Sequence, residues 1–154
     1  MDSITSSTKS DLVPVVLFVG SNPSNASTCD IAFHSSTKSS QILTGWTSHI
    51  KSRTFMHVNV SNNKTKDNRP LKQSEIDENI DRLLRLISSI QPCYVVALGQ
   101  TAAKALRKIN QPHYEMPHPS GRNRKLNDKR YVEEKIKGLV EFCSTNPIKT
   151  FTIA

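Results

Sequence analysis

The chain has 154 residues, enough for one domain with a real core and too few for two comfortable ones. Apolar residues make up 36% and charged residues 22%, and 21 Lys and Arg against 13 Asp and Glu give a net charge of +8, which points toward an anionic partner, nucleic acid first. No stretch approaches the roughly 20 apolar residues of a membrane span, residues 1–11 lack the apolar centre of a signal peptide, and the scattered Cys29, Cys93 and Cys143 form no CxxC pair for zinc or an iron–sulfur cluster. Sparse thiols of this kind fit a reducing compartment. The expectation is an intracellular protein, cytoplasmic or nucleoid/nuclear, with no membrane contact, no metal and no cofactor.

Residues 1–11 read as a short polar tail and residues 12–154 as a single domain. The first strand begins at about Val15, just after Pro14. Val15, Val16, Leu17, Phe18 and Val19 are apolar without alternation, as in a strand covered on both faces. The turn Gly20-Ser21-Asn22-Pro23-Ser24 breaks the run, at the end of a strand where open α/β sheets bind ligands. Residues 24–40 are rich in Ser and Thr and carry Phe33 and His34. Phe33 is either folded back to close the core or a planar lid over a ligand ring.

Ile42, Leu43, Trp46 and Ile50 share a helical face. Residues 55–60 alternate, with Phe55, His57 and Asn59 on one side and Met56, Val58 and Val60 on the other, which is strand periodicity. Asn59 either faces the crevice shared with Asn22 or caps the next turn. After a polar loop over residues 61–71, Ser74 with Asp77 three residues on reads as a helix start. Ile76, Ile80, Leu83, Leu84, Ile87 and Ile90 form that helix's apolar stripe, and Pro92 limits it.

Residues 94–98 form a third strand, nearly all apolar, ending in Gly99-Gln100. A compact Ala-rich helix begins at Thr101; the glycines lack the spacing of a dinucleotide site. Residues 114–116 give a short fourth strand that runs into Pro117-His118-Pro119-Ser120-Gly121-Arg122. A final helix covers residues 129–142, and residues 151–153 add an edge strand or an extended tail. Four alternations of strand and helix imply a three-layer α/β/α fold around a central, mainly parallel four-stranded sheet. All strand-to-helix loops of such a sheet emerge at one edge. There they would gather Asn22, Phe33 or His34, Asn59, Gln100, His118, Ser120 and Arg122, an inventory suited to a planar polar ring beside a phosphate.

Two of these motifs, with their order and spacing, carry a resemblance. Gly20-Ser21-Asn22-Pro23-Ser24 resembles the first motif of the uracil-DNA glycosylase superfamily, and His118-Pro119-Ser120 resembles its second. The form of both is nearest the mismatch-specific and single-strand-selective branches. The middle of the chain, with Asn59-Val60, Asn68-Arg69-Pro70, Val95 to Gly99 and Ala102 to Leu106, is similar to the bacterial and archaeal branch. The similarity spans residues 14–142. It implies a monomeric glycosylase-like domain whose partner is double- or single-stranded DNA.

Carried over residue by residue, the resemblance implies that Asn22 positions the water attacking the sugar and that His118 hydrogen-bonds O2 of the departing base. Phe33 would stack on the flipped base, Asn59 would read its amide edge, and Ser21 and Ser24 would border it. Ser120, Arg122 and Arg124 would grip phosphates, and Leu126 would wedge into the duplex. The implied activity is hydrolysis of the N-glycosidic bond of uracil or a related or modified pyrimidine. Asn22 stands where the fastest branch has Asp, so a slower or more selective activity is implied. Ser24 replaces the usual glycine, and the cluster-binding cysteines of the bacterial and archaeal branch are missing. Two alternatives stand beside this: a catalytically inactive nucleic-acid-binding or inhibitory protein on the same fold, and an N-glycosidase acting on a modified nucleobase or nucleotide.

Overall fold

A computed structural model describes residues 14–23, 38–120 and 123–145. The expectations for the 1–11 tail, Ser24, Phe33, His34, Arg122 and an edge strand at 151–153 lie outside the described residues.

Strand β1 (Val15–Gly20) is followed by helix α1 (Lys38–Thr47), β2 (Thr54–Asn59), α2 (Gln73–Ile90), β3 (Tyr94–Leu98), α3 (Gln100–Lys108), β4 (Tyr114–Met116) and α4 (Lys129–Ser144). The four strands form one sheet in the order β2-β1-β3-β4, every pair parallel. The three-layer α/β/α architecture expected from the alternation is the one observed.

Burial explains which runs lack alternation. The inner strands β1 and β3 are covered on both faces. Leu17, Val19, Val95 and Ala97 pack under α2 and α3, while Val16, Phe18, Tyr94, Val96 and Leu98 pack under α1 and α4. Each fully buried aliphatic side chain stabilises the fold by about 1.5–3 kcal/mol relative to exposure. β2 lies at an edge, so its alternation is kept but its first three residues are exposed. The small Ala102, Ala103 and Ala105, all fully buried, let α3 lie close to the sheet.

α2 starts one residue before Ser74, and its N-cap is Lys72. The Glu75 carboxylate accepts the Lys72 N–H at 2.7 Å and pairs with both ends of the Arg69 guanidinium at 2.7 and 3.0 Å. The Glu75 carboxylate on the Lys72 N–H therefore replaces the Ser74–Asp77 pattern read from the sequence. In the α2 stripe Leu83 and Ile87 are buried, but Leu84 is 46% exposed, because at one residue beyond Leu83 it has turned about 100° away from the sheet.

The topology has one reversal. β1 connects through α1 to β2 on one side, and β3 connects through α3 to β4 on the other. The loops leaving the carboxyl ends of β1 and β3 therefore part in opposite directions and open a crevice between these adjacent strands.

Candidate functional site

A cavity of about 270 Å3 occupies that crevice. Its wall takes Ser21, Asn22 and Pro23 from the end of β1, Asn68, Arg69 and Pro70 from the loop after β2, Gly99, Gln100 and Thr101 from the β3–α3 turn, and His118 from the segment after β4. The volume lies just below the ~300–1,000 Å3 of drug-sized sites and suits a single heterocycle with water. Four separate loops converge because the strands are parallel and in register, with Gly20 opposite Asn59 and Leu98 opposite Met116.

Asn22 is held at both ends of its amide. Ser21 Oγ donates to Asn22 Oδ1 at 2.8 Å, and Asn22 Nδ2 donates to the Asn63 carbonyl at 3.0 Å. Each end keeps hydrogen-bonding capacity for a water or ligand, since an amide has two N–H donors and two oxygen lone pairs. The loop that supplies Asn63 is itself braced. Thr65 Oγ1 donates to the Arg69 carbonyl at 2.6 Å, and Asp67 and Asn68 adopt left-handed backbone with φ of 53° and 56°. Asp and Asn tolerate that region better than other residues with a Cβ.

His118 is positioned through its backbone. Its carbonyl accepts the Ser120 N–H at 2.8 Å and Asn123 Nδ2 at 3.0 Å. Gly99 lies directly against it: a Cβ at Gly99 would stand 3.2 Å from His118 Cβ, and Gly99 has φ of 90°. The positive φ favours glycine there, and a Cβ would make His118 shift by a few tenths of an ångström. Burial lowers the His118 pKa below its ordinary value, so the imidazole is neutral at physiological pH and carries one N–H to donate. Gln100 and Thr101 open α3, which brings the positive end of that helix to the same wall.

Next to the cavity, Gly20 is overlain by two β2 side chains. A Cβ at Gly20 would meet Asn59 Oδ1 at 2.7 Å and His57 Nε2 at 3.0 Å. Asn59 is buried, and its strand end is clamped from α2 by Arg82 Nη1, which donates to the Asn59 and Val60 carbonyls at 3.1 and 2.8 Å. Both His57 ring nitrogens are out of solvent contact. Burial, and then the nearby His118, push the His57 pKa down to about 3.

Of the residues singled out from sequence, Ser21, Asn22 and His118 line one cavity. Asn59 is packed beneath Gly20 rather than in that wall. Ser120 sits in the tight turn after His118. Arg124 and Leu126 belong to a short 3-10 turn, Arg124–Asn127, in which Leu126 packs against the α1/α4 core. Asn63 and Arg82 have no reading in the sequence, and His57, Asn68 and Asn123 stand there only as members of a strand pattern or a motif, with no role. Asn123 carried the best signal, since an Asn two residues before Lys125 suits the cap it makes to that N–H. Asn63 and Arg82 act across 20 to 40 intervening residues and leave no local pattern.

Among the described residues no carboxylate and no cysteine lines the cavity. The one charged group in the wall, the Arg69 guanidinium, is paired with Glu75; the rest of the lining offers neutral dipoles, donors for an oxygen gaining negative charge and an amide that orients water. Fold and site together define a doubly wound α/β protein with a mostly uncharged crevice of about 270 Å3 at its topological switch point. The family model of the Uracil DNA glycosylase superfamily matches residues 9–139, and the chain belongs to that superfamily, a superfamily of hydrolases. No curated protein sequence matches it.

Proposed function

We propose that the protein is a monofunctional DNA glycosylase that hydrolyses the N-glycosidic bond of uracil, or of a related or modified pyrimidine, flipped out of DNA. The observation that carries this is the meeting of Asn22 and His118 in one cavity of about 270 Å3. As the bond lengthens, charge collects on the base and the sugar becomes cationic. The neutral His118 imidazole donates to O2 of the base. Asn22 orients a water toward the anomeric carbon, the water oxygen forms the new bond, and the base leaves with the electron pair and takes up the proton released. Each preorganised donor of this kind typically contributes about 2.7–4 kcal/mol.

Ser21 borders the base, and Ser24 and Phe33 carry the base-contacting roles that the resemblance implies. Ser120, Arg122 and Arg124 hold the phosphates. Flipping costs a few kcal/mol, offset by stacking and edge hydrogen bonds. The motifs at residues 20–24 and 118–120 favour the mismatch-specific and single-strand-selective branches. An amide at position 22 cannot take the water's proton at neutral pH, so a slow, selective enzyme is the form proposed. The protein acts as an intracellular monomer and needs no cofactor.

The cavity's lack of a carboxylate favours one second reading, a protein that binds a flipped base without excising it. Duplex and single-stranded oligonucleotides bearing uracil, 5-hydroxymethyluracil, thymine or hypoxanthine, scored for abasic sites, separate the two. Excision from at least one substrate, reduced roughly 100-fold or more by Asn22→Ala and by His118→Ala, is the expected result. Tight binding with no abasic product across the panel sinks the enzymatic reading.

A further inference from the structure

A second cavity, of about 200 Å3, adjoins the first and shares Gly99, Gln100 and His118 with it. Its far wall differs in character, being formed by Lys125, Tyr131 and Lys135. Lys135 Nζ lies 4.8 Å above the Tyr114 ring, and the Tyr114 hydroxyl donates to the Lys135 carbonyl at 3.0 Å, so this turn of α4 is fastened to β4. Neither Lys125 nor Lys135 is ion-paired with a described carboxylate. The one acidic residue in the wall, Glu115, is already held by Arg107 Nη1 at 2.6 Å and His113 Nε2 at 3.1 Å. Two lysines without a described carboxylate partner therefore border a concavity that His118 also lines.

We infer that this second cavity is a phosphodiester subsite, in which Lys125 and Lys135 hold the phosphate of a nucleotide adjoining the one whose base enters the first cavity. The inference rests on the base-excision reading and deepens it. A nucleotide has a neutral ring and an anionic linkage. The two cavities, one whose single charge, Arg69, is neutralised by Glu75 and the other bordered by two lysines, meet at a common His118 wall and repeat that division. The charge of this subsite comes from Lys125 of the 3-10 turn and Lys135 of α4. Lysine suits the task as a point charge on a flexible stem that follows a phosphate through the flipping motion. Tyr131 gives the sugar edge a flat surface to rest against.

The test is binding of a fluorescein-labelled single-stranded oligonucleotide carrying one 2′-fluoro-2′-deoxyuridine, whose fluorine destabilises the cationic sugar and blocks excision. Affinity is measured by anisotropy from low to moderate salt for the full chain and for K125Q/K135Q, which removes charge but keeps most of each stem. Circular dichroism melts verify that both are folded. Losing one phosphate contact should reduce the slope of log K against log salt by about 0.7. K125R/K135R should restore it. Neutral methylphosphonate links are then placed singly around the modified nucleotide. One adjoining position should weaken wild-type binding several-fold and leave K125Q/K135Q unaffected.

An unchanged slope, or methylphosphonate effects equal in both proteins at every position, overturns the subsite while leaving the base-excision reading intact. If K125Q/K135Q instead loses affinity only for deoxyuridine monophosphate, the cavity serves a free phosphate monoester and the phosphodiester assignment is wrong. Failure of the unaltered protein to bind any oligonucleotide refutes the DNA reading itself, and the subsite with it.

Discussion

Replacing His57 by glutamine should flatten the pH dependence of stability on the acid side of neutrality. In the folded chain burial, reinforced by His118, holds the His57 pKa at about 3, against 6.5 in the unfolded chain. Between those values the unfolded state binds a proton that the folded state refuses. Stability is therefore full above pH 6.5, falls as the pH drops below it, and stops falling from this source near pH 3. Between pH 7.5 and pH 5 the loss from one such group is about 2 kcal/mol. With a urea slope of about 1.5 kcal/mol/M, the wild-type midpoint should fall by roughly 1.4 M more than that of His57→Gln. Trp46, the chain's one tryptophan and 4% exposed, reports unfolding by fluorescence. His118 is depressed in the same direction, but it is present in both proteins and drops out of the difference. Parallel pH curves for the two proteins would refute the neutral, desolvated imidazole.

Other changes probe the supports of the site. Gly99→Ala forces a left-handed φ on a residue with a Cβ and presses that Cβ against His118, so it should cost about 1–3 kcal/mol in thermal or urea unfolding and lower turnover at permissive temperature. Asn123→Ala removes one of the two bonds on the His118 carbonyl and the cap on Lys125; stability should fall by about 1 kcal/mol, and excision, followed by abasic-site formation, should slow by roughly ten- to a hundredfold. Arg82→Met strips a donor from the Asn59 and Val60 carbonyls and should destabilise by about 1–3 kcal/mol, with Arg82→Lys recovering part of the loss in the same urea titration.

Much of the frame was legible along the chain. The unalternating runs at 15–19 and 94–98 marked the two strands that became central, because a strand covered on both faces has no polar side to show. The alternation at 55–60 marked β2 correctly but said nothing of its edge position, which leaves Phe55 and Met56 more than a third exposed. Leu84 matched the α2 stripe by composition and failed it by angle. Ser74–Asp77 and Lys72–Glu75 share one three-residue spacing; the Glu75 carboxylate, held by the Arg69 guanidinium from the preceding loop, is the one that caps α2.

The same division runs through the site. Asn22 and His118 stood out in the sequence because each ends a strand in a turn whose residues leave few structural alternatives, and because the motifs around them resemble a known family. What holds them did not stand out. The carbonyl that fixes Asn22 comes from Asn63, 41 residues away, and the groups that seat His118 come from Gly99 before it and Asn123 after it. Local chain chemistry determined where strands, helices and turns begin and end, since propensity and periodicity act over a few residues. The strand order β2-β1-β3-β4 arises from packing helices on both faces of a twisted sheet. Only that order sets the ends of β1 and β3 side by side, opens a crevice between them, and brings two distant polar turns to one cavity.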